Sequence, residues 1–280
     1  MQKFPISLIG RFLHKFVPYR KKIIYNNIDQ VFGDSLTKNE KSNLAKSFYS
    51  HIATSIKEMI QLRFISERKL VNKVDVIGYQ YLLDIAKEGK GVLILTGHFG
   101  SWEFAPIGGM LSFKEYSGHF HFIRKNLGNK KIERLLFGRY FKAGLRIIPK
   151  QHAMQKVKDA LDNNHAVVFV LDQHATLANK DGIAVPFFGK NAGTYRSLAS
   201  ISRYTGVPVV PAAGYRLPNG RHVLEFYKPI PFIEYDSTQE SIYKNTLSYN
   251  QALEKIILSR PEQWMWLHKR WKLANENLLN

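Results

Sequence analysis

His98 and Glu103 lie in the segment Thr96-Gly97-His98-Phe99-Gly100-Ser101-Trp102-Glu103, with four residues between them. A neutral imidazole is an effective base near neutral pH. A carboxylate on one ring nitrogen would fix the tautomer and leave the other nitrogen free to take a proton. The chain has no cysteine, which removes a thiol nucleophile and thiolate metal ligands together. A His/Glu pair without a thiol favours direct attack by an acceptor hydroxyl on an already activated donor. The bland alternative is a chance pairing of two ordinary polar residues.

The elements around this pair decide whether it can be used. Residues 91–97 are a continuous apolar run bounded by glycines, as expected of a strand covered on both faces. His98 then falls at the carboxyl end of that strand, where open parallel sheets form their sites. Gly97 and Gly100 permit a sharp turn and a close approach of backbone. Ser101 reads as the N-cap of the next helix, with Glu103 in its first turn, favoured there by the helix dipole.

Further strands are expected at 74–77, 119–123, 166–171, 207–213 and 222–227. Helices are expected at 79–87, 130–142, 153–163, 195–204 and 241–258. Thr37-Lys38-Asn39-Glu40 is a capping box opening a long helix over 38–64. Alternating strands and helices predict a single α/β domain, a mixed, mainly parallel sheet flanked by helices. Residues 1–70 form its helical N-terminal region and residues 71–280 its continuous core.

Forty-one Lys and Arg against 22 Asp and Glu give a formal charge of +19. That excess predicts attraction to polyanions, whether nucleic acid, anionic headgroups or an acidic protein. No nucleic-acid-binding pattern accompanies it. No apolar stretch approaches the roughly 20 residues that span a bilayer, and charges at Arg11, His14 and Lys15 break any signal-peptide core. Leu8, Ile9, Phe12, Leu13, Phe16 and Val17 fall on one helical face amid basic residues. Such a helix either lies in a membrane interface or packs on the protein's own core.

Beyond the first motif the blocks become specific in combination. Phe122-Ile-Arg-Lys125, Phe137-Gly-Arg139, Leu171-Asp-Gln173, Val185-Pro-Phe-Phe-Gly189 with Thr194, and Thr205-Gly-Val-Pro-Val-Val-Pro211 follow in order, then the block from Pro261 to Arg270. Together with His98 and Glu103 they resemble the late lipid A acyltransferases, within the glycerolipid acyltransferases that share a His-x4-Asp/Glu motif. The likeness runs from about Tyr19 to Trp271.

The resemblance implies an α/β body on the cytoplasmic face of an inner membrane, peripheral or monotopic. It implies a phosphopantetheine thioester on an acidic acyl carrier protein as donor and a hydroxyl of lipid A or its precursor as acceptor. It implies no nucleic acid, no metal and no other cofactor. His98 would be the base and Glu103 its orienting partner, with Arg139, Asp172 and Arg124 binding substrate. The same family includes a branch that transfers glycine from a carrier protein. A fatty chain would need an apolar tunnel near His98, walled by Phe104, Phe122, Phe137 and Phe141. A glycyl group would need a counter-charge for its ammonium, from Glu103, Glu133 or Asp172.

Simpler readings stand beside these. Arg124 and Arg139 are otherwise surface ion-pair residues, and Asp172 a turn cap. His119 and His121 face one way on a strand, but with no third ligand a structural role is favoured over a metal. Trp264, Trp266 and Trp271 with His268, Lys269 and Arg270 form either an interfacial aromatic and basic belt or part of the core.

Overall fold

The computed structural model describes residues 5–17, 19–124, 138–151, 153–178 and 181–272. Its centre is a seven-stranded sheet in the order β1-β9-β8-β2-β5-β3-β4. The strands are β1 (Val74–Ile77), β2 (Val92–Thr96), β3 (Phe120–Arg124), β4 (Leu145–Pro149), β5 (Ala166–Val170), β8 (Val209–Arg216) and β9 (His222–Phe226). A separate antiparallel hairpin is formed by β6 (Gly182–Phe187) and β7 (Lys190–Tyr195). Within the large sheet only the β8–β9 pair is antiparallel. The expected mixed, mainly parallel α/β sheet is what the chain builds.

The apolar runs in β2 and β5 serve two core layers at once. Leu93, Leu95, Val167 and Phe169 join one cluster, and Ile94 and Val168 join the cluster on the opposite face. Alternation across the pleat is why these strands read as continuous hydrophobic runs. The first layer is closed by α2 (Lys21–Phe32), α3 (Lys38–Gln61), α7 (Ala153–Asp162), α8 (Ser197–Thr205) and α9 (Thr238–Ser259). The second holds α4 (Glu67–Val71), α5 (Gln80–Lys87) and α6 (Phe104–Leu111). An N-terminal helix, α1 (Leu8–Phe16), lies on α3.

The capping box at Thr37 forms as the sequence indicates, with both reciprocal bonds present. The sequence reading missed β4 and the β6–β7 hairpin. Both are short and carry charged, proline or glycine residues that blur alternation. Of the helix expected over 130–142, only 138–142 are described, and they are helical.

Ser101 is not the cap of α6. That position falls to Glu103, which makes no side-chain capping bond. The cause is Gly100, whose φ of +60° extends the turn after His98. A side chain there would meet the Gly214 carbonyl.

Candidate active site

His98 follows β2 and Asp172 follows β5, and those strands are neighbours in register, Thr96 opposite Val170. Leu171 N–H extends the ladder by donating to the Thr96 carbonyl at 2.9 Å. Each functional residue therefore stands two positions beyond a paired strand end, on adjacent loops. His98 Nδ1 lies 2.9 Å from Asp172 Oδ1, and the His98 backbone N–H donates to Oδ2 at 2.7 Å. The indole N–H of Trp264 donates to the same Oδ2 at 3.1 Å. Gly97 allows this approach, since an added Cβ would sit 3.1 Å from the Asp172 carboxyl group.

The carboxylate is fully buried. Burial pushes its pKa up, but the hydrogen bonds and charge of His98 outweigh that and bring it down to about 2. For His98, burial pulls the pKa down, while the Asp172 hydrogen bond and charge push harder the other way and leave it raised. An ionised acceptor at Nδ1 selects the tautomer with Nδ1 protonated and Nε2 as the acceptor. The Gln173 side-chain amide sits 3.4 Å from Nε2. Chemically, this arrangement can act as a histidine base oriented by a buried carboxylate.

The bond that sequence spacing assigned to Glu103 is thus made by Asp172. No hydrogen bond joins Glu103 to His98 among the described residues. Glu103 instead has its pKa raised by burial, and its charge acts on Tyr140, whose own pKa burial raises well above normal. Arg124, at the end of β3, opposes that effect on Tyr140. Glu103, Tyr140 and Arg124 are therefore electrostatic neighbours.

Arg139 donates from Nη2 to the carbonyls of Arg63 and Ile65 at 3.1 and 3.0 Å, tying its segment to the chain beyond α3. Phe122 lines the cavity beside His98. Phe104 is buried and stacks on His222 instead, and Phe141 is partly exposed. Phe137 and Glu133 lie outside the described residues.

The carboxyl-terminal segment completes the site. Gly100 N–H donates to the Gln263 carbonyl at 2.8 Å and Met265 N–H to the His98 carbonyl at 3.0 Å, a short antiparallel bridge. The Gln263 amide in turn bonds both backbone groups of Arg216. From α2, Asn27 donates to the carbonyls of Trp266 and His268 at 2.8 Å.

Trp264, Trp266 and Arg270 are fully buried, so these residues are core and not an interfacial belt. Burial of the Arg270 guanidinium brings its pKa down to about 10. It donates to Thr194 Oγ1 at 2.7 Å and to the Gly193 carbonyl, fixing the hairpin. The sequence flagged this block without revealing that Trp264 holds Asp172. Tyr140 was missed, although it directly follows the Phe137-Gly-Arg139 block.

His98, Asp172 and His268 each offer one donor atom within 4.8 Å of one another, so this trio could hold a cation. Both Asp172 oxygens already accept hydrogen bonds, and a cation would have to displace the one at Nδ1. The His268 ring centroid lies 4.8 Å from that of His98. Burial lowers its pKa; Asp172 opposes this, and His98 and Arg20 reinforce it. His119 and His121 both stack on His165, and His121 Nε2 is 3.0 Å from His165 Nδ1. They form a ring stack at the opposite end of the sheet from His98.

A cavity of about 150 Å³ opens beside His98, walled by Trp102, Phe122, Tyr140, Val168 and Met110 among others. No acid lines it among the described residues. A second cavity of about 210 Å³ lies toward the amino ends of the strands and shares the walls Met110, Phe120, Leu224 and Phe226 with the first.

A family model described as bacterial lipid A biosynthesis acyltransferase matches residues 2–273. The chain is 24% identical over 272 residues to a lipid A biosynthesis lauroyltransferase of Escherichia coli (strain K12), covering 96% of this chain and 85% of the relative. It is 22% identical over 275 residues to a lipid A biosynthesis palmitoleoyltransferase of the same organism, covering 94% and 82%. A lipid A biosynthesis acyltransferase of Shigella flexneri matches to the same extent.

Proposed function

The chain belongs to the bacterial lipid A biosynthesis acyltransferases, and from that premise we propose that it moves a fatty acyl group from a carrier-protein thioester to a hydroxyl of lipid A or its precursor. His98 Nε2 takes the hydroxyl proton as the oxygen attacks the thioester carbonyl. The tetrahedral intermediate collapses to the ester and expels the thiolate, which takes its proton from the imidazolium. Asp172 stays ionised throughout and stabilises that imidazolium, as a buried carboxylate on Nδ1 does in other His-based transfers. Glu103 contributes a second buried carboxylate at the head of α6.

The observation that carries the fatty donor is the pair of cavities. An apolar cavity of about 150 Å³ holds a group the size of benzene, so a longer chain entering beside His98 would continue past Met110 into the second one. A glycyl ammonium would need a counter-charge, and no acid lines the first cavity among the described residues. Asp172 is occupied by His98 and Trp264. The two Escherichia coli relatives are a lauroyltransferase and a palmitoleoyltransferase, both movers of fatty acyl groups.

The positive charge supports rapid encounter with an acidic carrier protein. The basic, outward-facing α1 supports peripheral attachment to the cytoplasmic face of an inner membrane. No helix of the described residues is long and apolar enough to cross one.

Purified protein offered lauroyl-carrier and glycyl-carrier separately, with a lipid A acceptor, tests the reading. Ester formed from the lauroyl donor is the expected result. Product from the glycyl donor alone would reassign the donor, and product from neither would remove the carrier thioester from the mechanism.

A further inference from the structure

The outer face of α1 does not end the apolar surface. Gly10 seats α1 on α3: Ser7 N–H donates to Ser50 Oγ at 3.0 Å, and an added Cβ on Gly10 would overlap Ser50. His14 closes the contact against Tyr49, with ring centroids 5.8 Å apart. Residues on that inner side are covered, so Leu8, Ile9, Phe12 and Phe16 point away from the body, Leu8 being 83% exposed.

The side of α3 covered at Tyr49 and Ser50 continues downstream by helical spacing to Ala53, Ile56 and Ile60. There α1 no longer covers it. Ile56 and Ile60 are exposed, and Phe64, in the turn beyond the helix, is 82% exposed. Two packed helices thus present bare apolar side chains on one side of the molecule.

The charges along the chain around these residues are mostly basic. No acid occurs before Asp29, and between Lys41 and Ser66 the only one is Glu58. Glu58 faces inward, paired with Arg216 and His222. Arg11, Lys15, Lys57 and Arg63 stand next to the apolar side chains along the chain, with Glu67 the nearest exposed acid beyond Phe64. Apolar residues ringed by lysine and arginine are what an anionic bilayer surface binds, through burial plus attraction to headgroups.

We propose that Ile56, Ile60 and Phe64 form a second insertion site, which with α1 seats the protein on an anionic bilayer. This rests on the membrane-attached reading above and adds to it the end of α3. The position has a consequence for the reaction. Arg139 is bonded to the carbonyls of Arg63 and Ile65, and its neighbour Tyr140 lines the cavity at His98. Inserting the end of α3 would hold the cavity mouth at the bilayer surface, within reach of a lipid hydroxyl.

The test is vesicle binding by the full chain carrying Ile60→Asp and Phe64→Asp together, against Tyr204→Asp as an exposed aromatic control outside both helices. The double variant is expected to lose about tenfold or more in partitioning to phosphatidylcholine/phosphatidylglycerol vesicles, while the control does not. Its transfer to a detergent-dispersed acceptor should be retained. Because the chain has no cysteine, Phe64→Cys carrying an environment-sensitive fluorophore gives a second readout, expected to shift to the blue on adding the same vesicles. Equal partitioning of the double variant, or no spectral shift, would overturn the proposal. So would a loss confined to self-association or to carrier-protein binding, which would assign the face to another copy or to the donor. Failure of the wild type to bind vesicles at all would instead remove the membrane reading on which the proposal stands.

Discussion

Asp172 grips His98 at two points, its Oδ1 at the ring Nδ1 and its Oδ2 at the backbone N–H. The side chain is thereby held in both tautomer and position, and Trp264 holds the carboxylate from the other side. Ring orientation, backbone and acid are one unit. Removing the acid would leave three donors, the ring and backbone N–H of His98 and the indole N–H of Trp264, without their partner, at about 1–3 kcal/mol each.

His98→Ala is expected to lower turnover by about a hundredfold or more. Asp172→Asn keeps the shape but removes the charge, and should lower kcat by on the order of a hundredfold or more while changing the pH profile. The sign follows from the causes of the His98 shift: burial lowers its pKa and Asp172 raises it to a net increase. Wild-type kcat/KM should thus fall with acid through a limb above the ordinary histidine value. In Asp172→Asn only burial remains, so the limb moves to lower pH. A limb that stays put in this variant would dissociate Asp172 from the base.

Glu103→Gln separates the two carboxylates. With no bond to His98, its loss should reduce turnover and leave the acid limb where it is. Steady-state rates across pH 5–9, roughly the range that brackets histidine titration, check both variants in one experiment.

Met110→Trp should fill the shared wall between the two cavities and shift donor preference toward shorter chains. The lauroyl-to-octanoyl ratio of kcat/KM is expected to fall about tenfold or more, as for other pocket contacts worth a few methylenes. An unchanged ratio would remove the second cavity from the chain's path.

A second buried pair governs stability. Burial raises the Glu58 pKa, but bonds from His222 and Arg216 outweigh it and bring it down to about 2. A carboxylate depressed in the folded state stabilises above its unfolded pKa, and that contribution is lost as pH falls from there toward 2. Glu58→Gln leaves Arg216 without its counter-ion and should cost about 3–5 kcal/mol near neutral pH. Its stability should also depend less on pH over that acidic window, as denaturant titrations at several pH values would show.

Transfer should also be indifferent to chelators, since both Asp172 oxygens are engaged by hydrogen bonds. Loss of activity with a chelator and recovery with a divalent cation would reassign His98, Asp172 and His268 as metal ligands.

The sequence by itself determined what is local. A glycine-bounded apolar run ending at His98 specifies a buried strand and the turn after it, and the capping box at Thr37 specifies where α3 starts. Alternation of strands and helices determined the class of the sheet, and the ordered blocks determined the family. It did not determine the partner of His98. Glu103 was the nearby acid, whereas Asp172 lies 74 residues away along the chain. Their meeting follows from strand order and register: β5 pairs with β2, Thr96 faces Val170, and both residues stand at the same offset beyond the ladder. Nor did it decide between a membrane belt and a core for Trp264 and Trp266, because an indole suits either until its surroundings are known. The tertiary structure buried them, since the segment around Trp264 returns as a strand-like stretch against His98 and Gly100 and brings one indole N–H to the Asp172 carboxylate as a third donor.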